Sequence, residues 1–304
     1  MHDHLGDTVR ERCAGAELEA LFAAPFIKAD ALARLVGSLQ SAVRLRVVTR
    51  WVPEEIAAGV SDLDVWRVVC KRPHARLLLC PAIHAKYYRI DGLALVGSAN
   101  LTRRGLGWTT KPGLELLIEV AAAEIADFET KLLAASLEVD VATYNNMQAA
   151  VDALAASSAI PLVASAEEVE EVAEWFPSSR QVQHLYDCYL GHQDKVISSV
   201  FEDGRLDVSG LCLPSGLGRE SFENFVAARL QSLAYVAAVD ARAIAPIDRR
   251  TGQGLLVDLG VARAAEDCTE WDTLSEWLLW FLPQRYRRIP TWDGPAISRS
   301  QLIR

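Results

Sequence analysis

The stretch HAKYYRIDGLALVGSANLT, residues 84–102, contains two short apolar runs separated by a turn. AKYYRID and LALVGS have the length and composition of β-strands, so the stretch predicts a hairpin. Alternate residues of a strand share a face, and His84 and Lys86 are therefore expected to project to the same side. Gly97 ends the second run and permits a close backbone turn. The hairpin thus gathers polar groups at one end.

The side chains at this end suit the cleavage of a phosphodiester. A histidine such as His84 attacks or carries protons near neutral pH. Lys86 supplies a fixed cation for the non-bridging oxygens. Ser98 and Asn100 follow the second strand and offer neutral hydrogen-bond donors. Nothing in this set requires a metal or a cofactor.

The spacing H-x-K, x4-D, G-S-x-N resembles the signature of the phospholipase D superfamily, and GSANLTRRGL is typical of its nuclease-like members. The signature positions here are His84, Lys86, Asp91, Gly97, Ser98 and Asn100. Five residues separate Asp91 from Gly97, where six is usual, and a shortened hairpin turn absorbs the difference. The resemblance covers about residues 20–140, for which it implies a layered α/β/α domain with a mixed sheet.

The resemblance also implies roles for individual residues. The motif histidine is the nucleophile that forms a phosphohistidine, and a second histidine is the general acid and then activates water. An acidic residue on the following strand holds the histidine ring, and Glu115 in GLELLIEV is the match. An ordinary edge-strand charge is the alternative reading of Glu115. Asp91 and Gly97 are expected to support the motif rather than to react.

The mechanism needs two histidines, but the sequence contains one motif. His184 and His192 lack the downstream G-S-x-N and are predicted to be structural or surface residues. Single-motif members of the superfamily share one site between two copies across a two-fold axis. The expected assembly is therefore a homodimer.

The rest of the sequence alternates predicted helices and strands, which favours a layered α/β sheet. Helical periodicity from Glu17 predicts a helix up to about Ala42, and a strand follows over Val43–Trp51. SDLDVWRVVCKR predicts a helix with Ser61 as its N-cap. We predict a phospholipase D-like domain over residues 1–150, a junction over 151–174, and a C-terminal domain of unknown role.

The C-terminal domain, residues 175–304, is predicted to be mainly helical. WDTLSEWLLWFLPQRYRR has tryptophans and leucines at helical spacing, followed by a cluster of arginines at positions 285, 287 and 288. A core-facing amphipathic helix with a basic end is the first interpretation. An element that contacts DNA or docks a partner is the second.

Composition limits the class of protein. The 304 residues are 51% hydrophobic and 23% charged, with a formal net charge of −9. The apolar runs are too short to span a bilayer, and the polar N-terminus lacks the core of a signal peptide. Six scattered cysteines predict neither a zinc site nor a disulfide framework. We therefore expect a cytoplasmic protein with no membrane partner.

The basic residues are concentrated around the motif. Between Arg44 and Lys111 there are 12 basic and five acidic residues, a local excess of +7. Such an excess attracts a polyanion even in an acidic chain. The candidates for nucleic-acid contacts are Arg50, Arg103, Arg104 and Lys111.

These observations favour a metal-independent phosphodiesterase acting on nucleic acid, with DNA preferred. By analogy with the family, the setting is bacterial defence or restriction, with a helicase or ATPase partner. One alternative is a phospholipid-cleaving or phosphatidyl-transferring enzyme, which would need an exposed apolar face. The other is a nucleic-acid-binding subunit without catalysis.

Overall fold

The computed structural model describes residues 4–156, 175–263, 268–291 and 294–300. The chain divides into two compact units, Met1–Val139 and Asp140–Arg304. Most of the predicted junction lies outside the described residues, so the predicted domain limits at residues 150 and 175 remain predictions.

The first unit contains a seven-stranded mixed sheet. Its strands are β1 (Glu19–Ala23), β2 (Arg44–Thr49), β3 (Ala75–Leu79), β4 (Lys86–Ile90), β5 (Leu93–Gly97), β6 (Leu117–Ala121) and β7 (Leu137–Glu138). They lie in the order β6-β5-β4-β1-β2-β3-β7. β1, β2 and β3 are parallel neighbours, whereas the other neighbouring pairs are antiparallel. The predicted hairpin is β4–β5, and its two-residue turn accounts for the short motif spacing.

Helices flank this sheet. They are α1 (Leu5–Ala14), α2 (Ala29–Val36), α3 (Pro53–Ala57), α4 (Val65–Cys70) and α5 (Ala126–Ala134). Leu132 of α5 packs in a cluster with Leu21, Val48 and Tyr87 from three neighbouring strands. α1 contacts β4, α4 contacts β3, and α2 lies against both helices. The predicted layered α/β architecture is confirmed.

The prediction of a helix from Glu17 to about Ala42 is wrong except over Ala29–Val36. Glu19–Ala23 is a strand, and α2 begins only at Ala29. This strand lies between β2 and β4 in the middle of the sheet, so it is buried on both faces and reads as a continuous apolar run. A short run of this kind has no periodicity that separates a strand from a helix.

The Ser61 N-cap is also wrong. The helix begins at Val65, and the buried Ser61 hydroxyl instead donates to the carbonyl of Ile27 at 3.4 Å. The neighbouring Asp62 carboxylate accepts from the backbone N–H of Ala29 at 3.0 Å. Ser61 and Asp62 therefore hydrogen-bond to the start of α2 instead of capping the helix in their own segment.

The second unit is mainly helical, as predicted. Its helices are α6 (Val141–Ala156), α7 (Leu185–Leu190), α8 (Ser198–Gly210), α9 (Arg219–Gln231), α10 (Ala234–Arg242), α11 (Arg249–Asp258) and α12 (Thr269–Phe281). A hairpin of β8 (Tyr286–Thr291) and β9 (Gly294–Arg299) follows. Trp271 and Trp277 on α12 are buried, which agrees with a core-facing helix.

The arginine cluster after α12 does not form a basic helix end. Arg285 is buried and donates to the fully buried carboxylate of Asp240 at 2.7 and 2.8 Å. A third bond, of 3.1 Å, reaches Asp140. Arg287 and Arg288 lie in β8. A buried guanidinium of this kind requires carboxylate partners, and these lie far away in the sequence.

Within the described residues, no helix combines the length and the apolar character that crossing a bilayer requires.

Candidate active site

Four strands bring the motif residues to one edge of the sheet. Ala23 at the end of β1 pairs with Tyr87 near the start of the antiparallel β4. Lys86 pairs with Gly97 at the end of β5, and Gly97 pairs with Leu117 at the start of β6. The residues just outside these strand ends therefore lie next to one another.

His84 is exposed and lies two residues before β4. The Lys86 ammonium group donates to the backbone carbonyl of His84 at 2.8 Å. Among the described residues, no hydrogen bond involves the His84 imidazole. The structure thus holds a cation at the main chain of an exposed histidine, and both groups are available to an anionic phosphate.

Glu115 contacts Ser98 rather than His84. The Ser98 hydroxyl donates to the Glu115 carboxylate and also accepts from the backbone N–H of Leu116 at 3.1 Å. This pairing fixes the Ser98 side chain at the end of β5. The expected contact of Glu115 with the histidine ring is not present in this structure, and the role of Glu115 in holding the ring remains a proposal.

Asn100 is tied to the end of β1. Its side-chain oxygen accepts from the backbone N–H of Phe26 at 3.4 Å. The buried Tyr88 hydroxyl donates to the carbonyl of Ala99 at 2.7 Å, and burial raises the pKa of this hydroxyl. Sequence reasoning missed both Tyr88 and Phe26, because neither belongs to the motif. The only sequence signal was that Tyr88 shares a strand face with Lys86.

Gly97 and Asp91 support the site through the backbone. A Cβ atom on Gly97 would lie 1.8 Å from the carbonyl oxygen of Leu116, so no other residue fits there without a shift. Asp91 adopts a left-handed conformation in the β4–β5 turn, with φ of 49°. Its carboxylate accepts from three consecutive backbone N–H groups, those of residues 17–19, at 2.8–3.0 Å.

Asp91→Ala is expected to lower the free energy of unfolding by about 2 kcal/mol at pH 7, since it removes charge-assisted hydrogen bonds. Burial alone would raise the pKa of Asp91, but the three N–H donors hold this pKa below its ordinary value. The stabilisation is therefore present at neutral pH and disappears as the pH falls through this lowered pKa. Urea denaturation at pH 7 and at acid pH measures the difference.

Asp91→Asn is the matched control, because asparagine also tolerates the left-handed turn but offers only one amide oxygen. We expect its loss at pH 7 to be smaller than that of Asp91→Ala. Equal stability of Asp91→Ala and the wild type at pH 7 would contradict the role assigned to this carboxylate.

The four candidate nucleic-acid contacts have different environments. Arg103, Arg104 and Lys111 are exposed in the loop after Asn100. Arg50 is bound by the Glu55 carboxylate through its Nε at 3.2 Å and through a second nitrogen. Burial raises the pKa of Glu55, although the contact with Arg50 opposes this effect. Arg50 is therefore already paired with a carboxylate.

Acidic residues from outside this segment neutralise part of the local basic excess. Glu19 and Glu129 both pair with Arg46 and Arg89, and Glu138 pairs with Arg76. The first unit as a whole has 17 basic and 17 acidic residues, while the second unit has 14 basic and 23 acidic residues. The net charge of −9 therefore belongs to the second unit.

The two histidines predicted to be structural or surface residues lie in the second unit. His184 ends a 3-10 turn, and His192 contacts Asp187 at 3.3 Å. The part of the chain that the structure describes contains no group of three or more His, Cys, Asp or Glu side chains arranged to hold a metal ion.

No family model matches this chain, and no curated protein matches it. Among solved structures, NucT from Helicobacter pylori is similar with a TM-score of 0.36 and 14% identity, covering 44% of this chain and 89% of NucT. TrmBL2, an archaeal chromatin protein, is similar with a TM-score of 0.29 and 12% identity, over 43% of this chain. Phosphatidylserine synthase from Haemophilus influenzae Rd KW20 is similar with a TM-score of 0.33 and 13% identity, over 50% of this chain. The matches span only 48% and 41% of the latter two proteins.

Proposed function

We propose that this chain is a metal-independent phosphodiesterase that cleaves nucleic acid, with DNA as the favoured substrate. The observation that supports the proposal is that exposed His84, whose backbone carbonyl accepts from the Lys86 ammonium group, lies at the same end of the strands as Ser98 and Asn100. Histidine is the nucleophile of this set, and Lys86 stabilises the negative charge that develops on the phosphoryl oxygens.

The reaction proceeds in two displacements. A ring nitrogen of His84 attacks phosphorus and expels the leaving oxygen, which takes a proton from a second imidazolium. The second imidazole then removes a proton from water, whose oxygen attacks phosphorus and breaks the bond to His84. The products are a phosphomonoester and a free hydroxyl, and both histidines return to their starting states.

The second imidazole comes from another copy of the chain. One copy carries one motif, and His184 and His192 lie in the second unit without a motif around them. A two-fold axis through the site supplies His84 twice and completes the acid–base pair. A restriction or defence setting, with a helicase or ATPase that selects the target, is part of this proposal.

Cleavage of DNA is expected to continue in excess EDTA. The charge on phosphate is met by Lys86, and the nucleophile is a ring nitrogen rather than a metal-bound hydroxide. Purified protein incubated with end-labelled DNA, with and without EDTA, measures this. A strict dependence on added magnesium would contradict the assigned mechanism.

A second candidate function is cleavage or transfer of a phospholipid head group, which contains the same phosphodiester. The observation that favours it is a row of exposed apolar side chains beside Glu115: Leu114, Leu116 (58% exposed) and Ile118 (53%). Parallel assays on labelled DNA, labelled RNA and phospholipid vesicles separate the two functions. Binding without turnover on every substrate would instead indicate a non-catalytic subunit.

A further inference from the structure

Phe26 lies against the candidate site but belongs to no motif. It follows β1, whose last residue pairs with the strand that begins at Lys86. Two contacts fix its segment: the Thr49 hydroxyl donates to the carbonyl of Pro25 at 3.1 Å, and the Phe26 N–H donates to the Asn100 side chain at 3.4 Å. The half-buried ring is therefore held on rigid strand ends beside a motif residue.

The Arg50 guanidinium covers this ring. Its central carbon lies 5.4 Å from the centroid of the Phe26 ring. The Glu55 carboxylate accepts from two nitrogens of Arg50, which fixes the plane of the guanidinium. One-fifth of the Arg50 side chain is exposed. The Arg50 guanidinium therefore lies over the Phe26 ring and is held there by the Glu55 carboxylate.

Because Glu55 balances the charge of Arg50, Phe26 and Arg50 together present a flat surface with little net charge. A phosphate would be drawn instead to Lys86. Planar guanidinium and aromatic groups are the surfaces on which unpaired bases stack. We infer that Phe26 and Arg50 form a stacking platform for an unpaired nucleobase next to the scissile phosphate, so that the substrate is single-stranded or locally unpaired nucleic acid. The inference rests on the proposed function.

Fluorescence anisotropy with the His84→Ala protein tests the platform without turnover. The probes are a 12-nucleotide single-stranded DNA, the same sequence as a duplex, and a base-free spacer oligomer with the same number of phosphates. We expect the single strand to bind about tenfold more tightly than the spacer oligomer, in line with one stacked base. The duplex is expected to bind more weakly than the single strand.

Variants at the platform separate stacking from charge. Arg50→Lys keeps the charge but removes the plane, and it should weaken single-strand binding about tenfold while leaving the spacer oligomer unchanged. Phe26→Leu should act in the same direction, whereas Phe26→Tyr keeps the ring and should bind like the parent. Arg67→Lys, at an exposed arginine on α4, is the matched control without effect.

Equal weakening of both oligomers by Arg50→Lys, or no weakening of either, would overturn the platform. Turnover distinguishes this failure from failure of the proposed function. If the wild-type protein cleaves base-bearing and base-free oligomers equally well, the proposed function holds and the stacking platform is wrong. If binding depends on the bases but no oligomer is cleaved, the stacking platform holds and the proposed function is wrong. Failure to bind any oligomer overturns both.

Discussion

His84→Ala is expected to lower the rate of DNA cleavage by at least about a thousandfold, since it removes the attacking nitrogen. His84 is exposed and lies outside β4, so the substitution should leave the free energy of unfolding nearly unchanged. Initial rates on end-labelled DNA and urea denaturation of the same preparation measure the two effects.

His74→Asn is the control for removing a surface histidine. His74 is exposed in the loop before β3, with φ of 56°, a conformation that asparagine tolerates. Its activity should equal that of the wild type. His84→Ala activity within about threefold of the wild type would remove His84 from the mechanism.

The second large effect is expected in mixed dimers. A dimer of one wild-type and one His84→Ala chain has a single histidine at its shared site, so it lacks either the nucleophile or the acid. We expect its turnover to fall to the level of the His84→Ala homodimer. Two differently tagged chains, co-expressed and purified through both tags, provide this species.

The assembly itself is tested at working concentration by light scattering, where the predicted species is a dimer. In the proposed dimer two copies of Lys86 would meet at the shared site, and an anionic phosphate would offset their repulsion. Inorganic phosphate or oligonucleotide should therefore tighten the dimer by linkage. A fully active monomer, or a mixed dimer with undiminished turnover, would rule out the shared site.

The hairpin was predictable from sequence because its contacts are local. The strand-like runs on either side of Asp91 pair through a two-residue turn, so their register follows directly from the sequence. The same locality brings Lys86 beside Gly97. Asp91 was expected to support the motif, but its three N–H donors come from residues 17–19, which no local pattern indicates.

Long-range contacts explain what the sequence did not predict. Glu19–Ala23 becomes a strand because β2 and β4 pair with it on both sides, and these neighbours come later in the chain. The basic excess around the motif was overestimated because the window from Arg44 to Lys111 excluded Glu19, Glu129 and Glu138. Charge counted along a segment does not give the charge of a surface.

Capture of the covalent intermediate tests directly whether His84 is the nucleophile. Wild-type protein is mixed with labelled DNA in EDTA, quenched in alkali within the first turnovers, and mapped by peptide mass spectrometry. The predicted result is a nucleotide joined through phosphorus to His84, which is absent from the His84→Ala protein. Rapid turnover with no adduct on His84, or with the label on another residue, would contradict a phosphohistidine intermediate at His84.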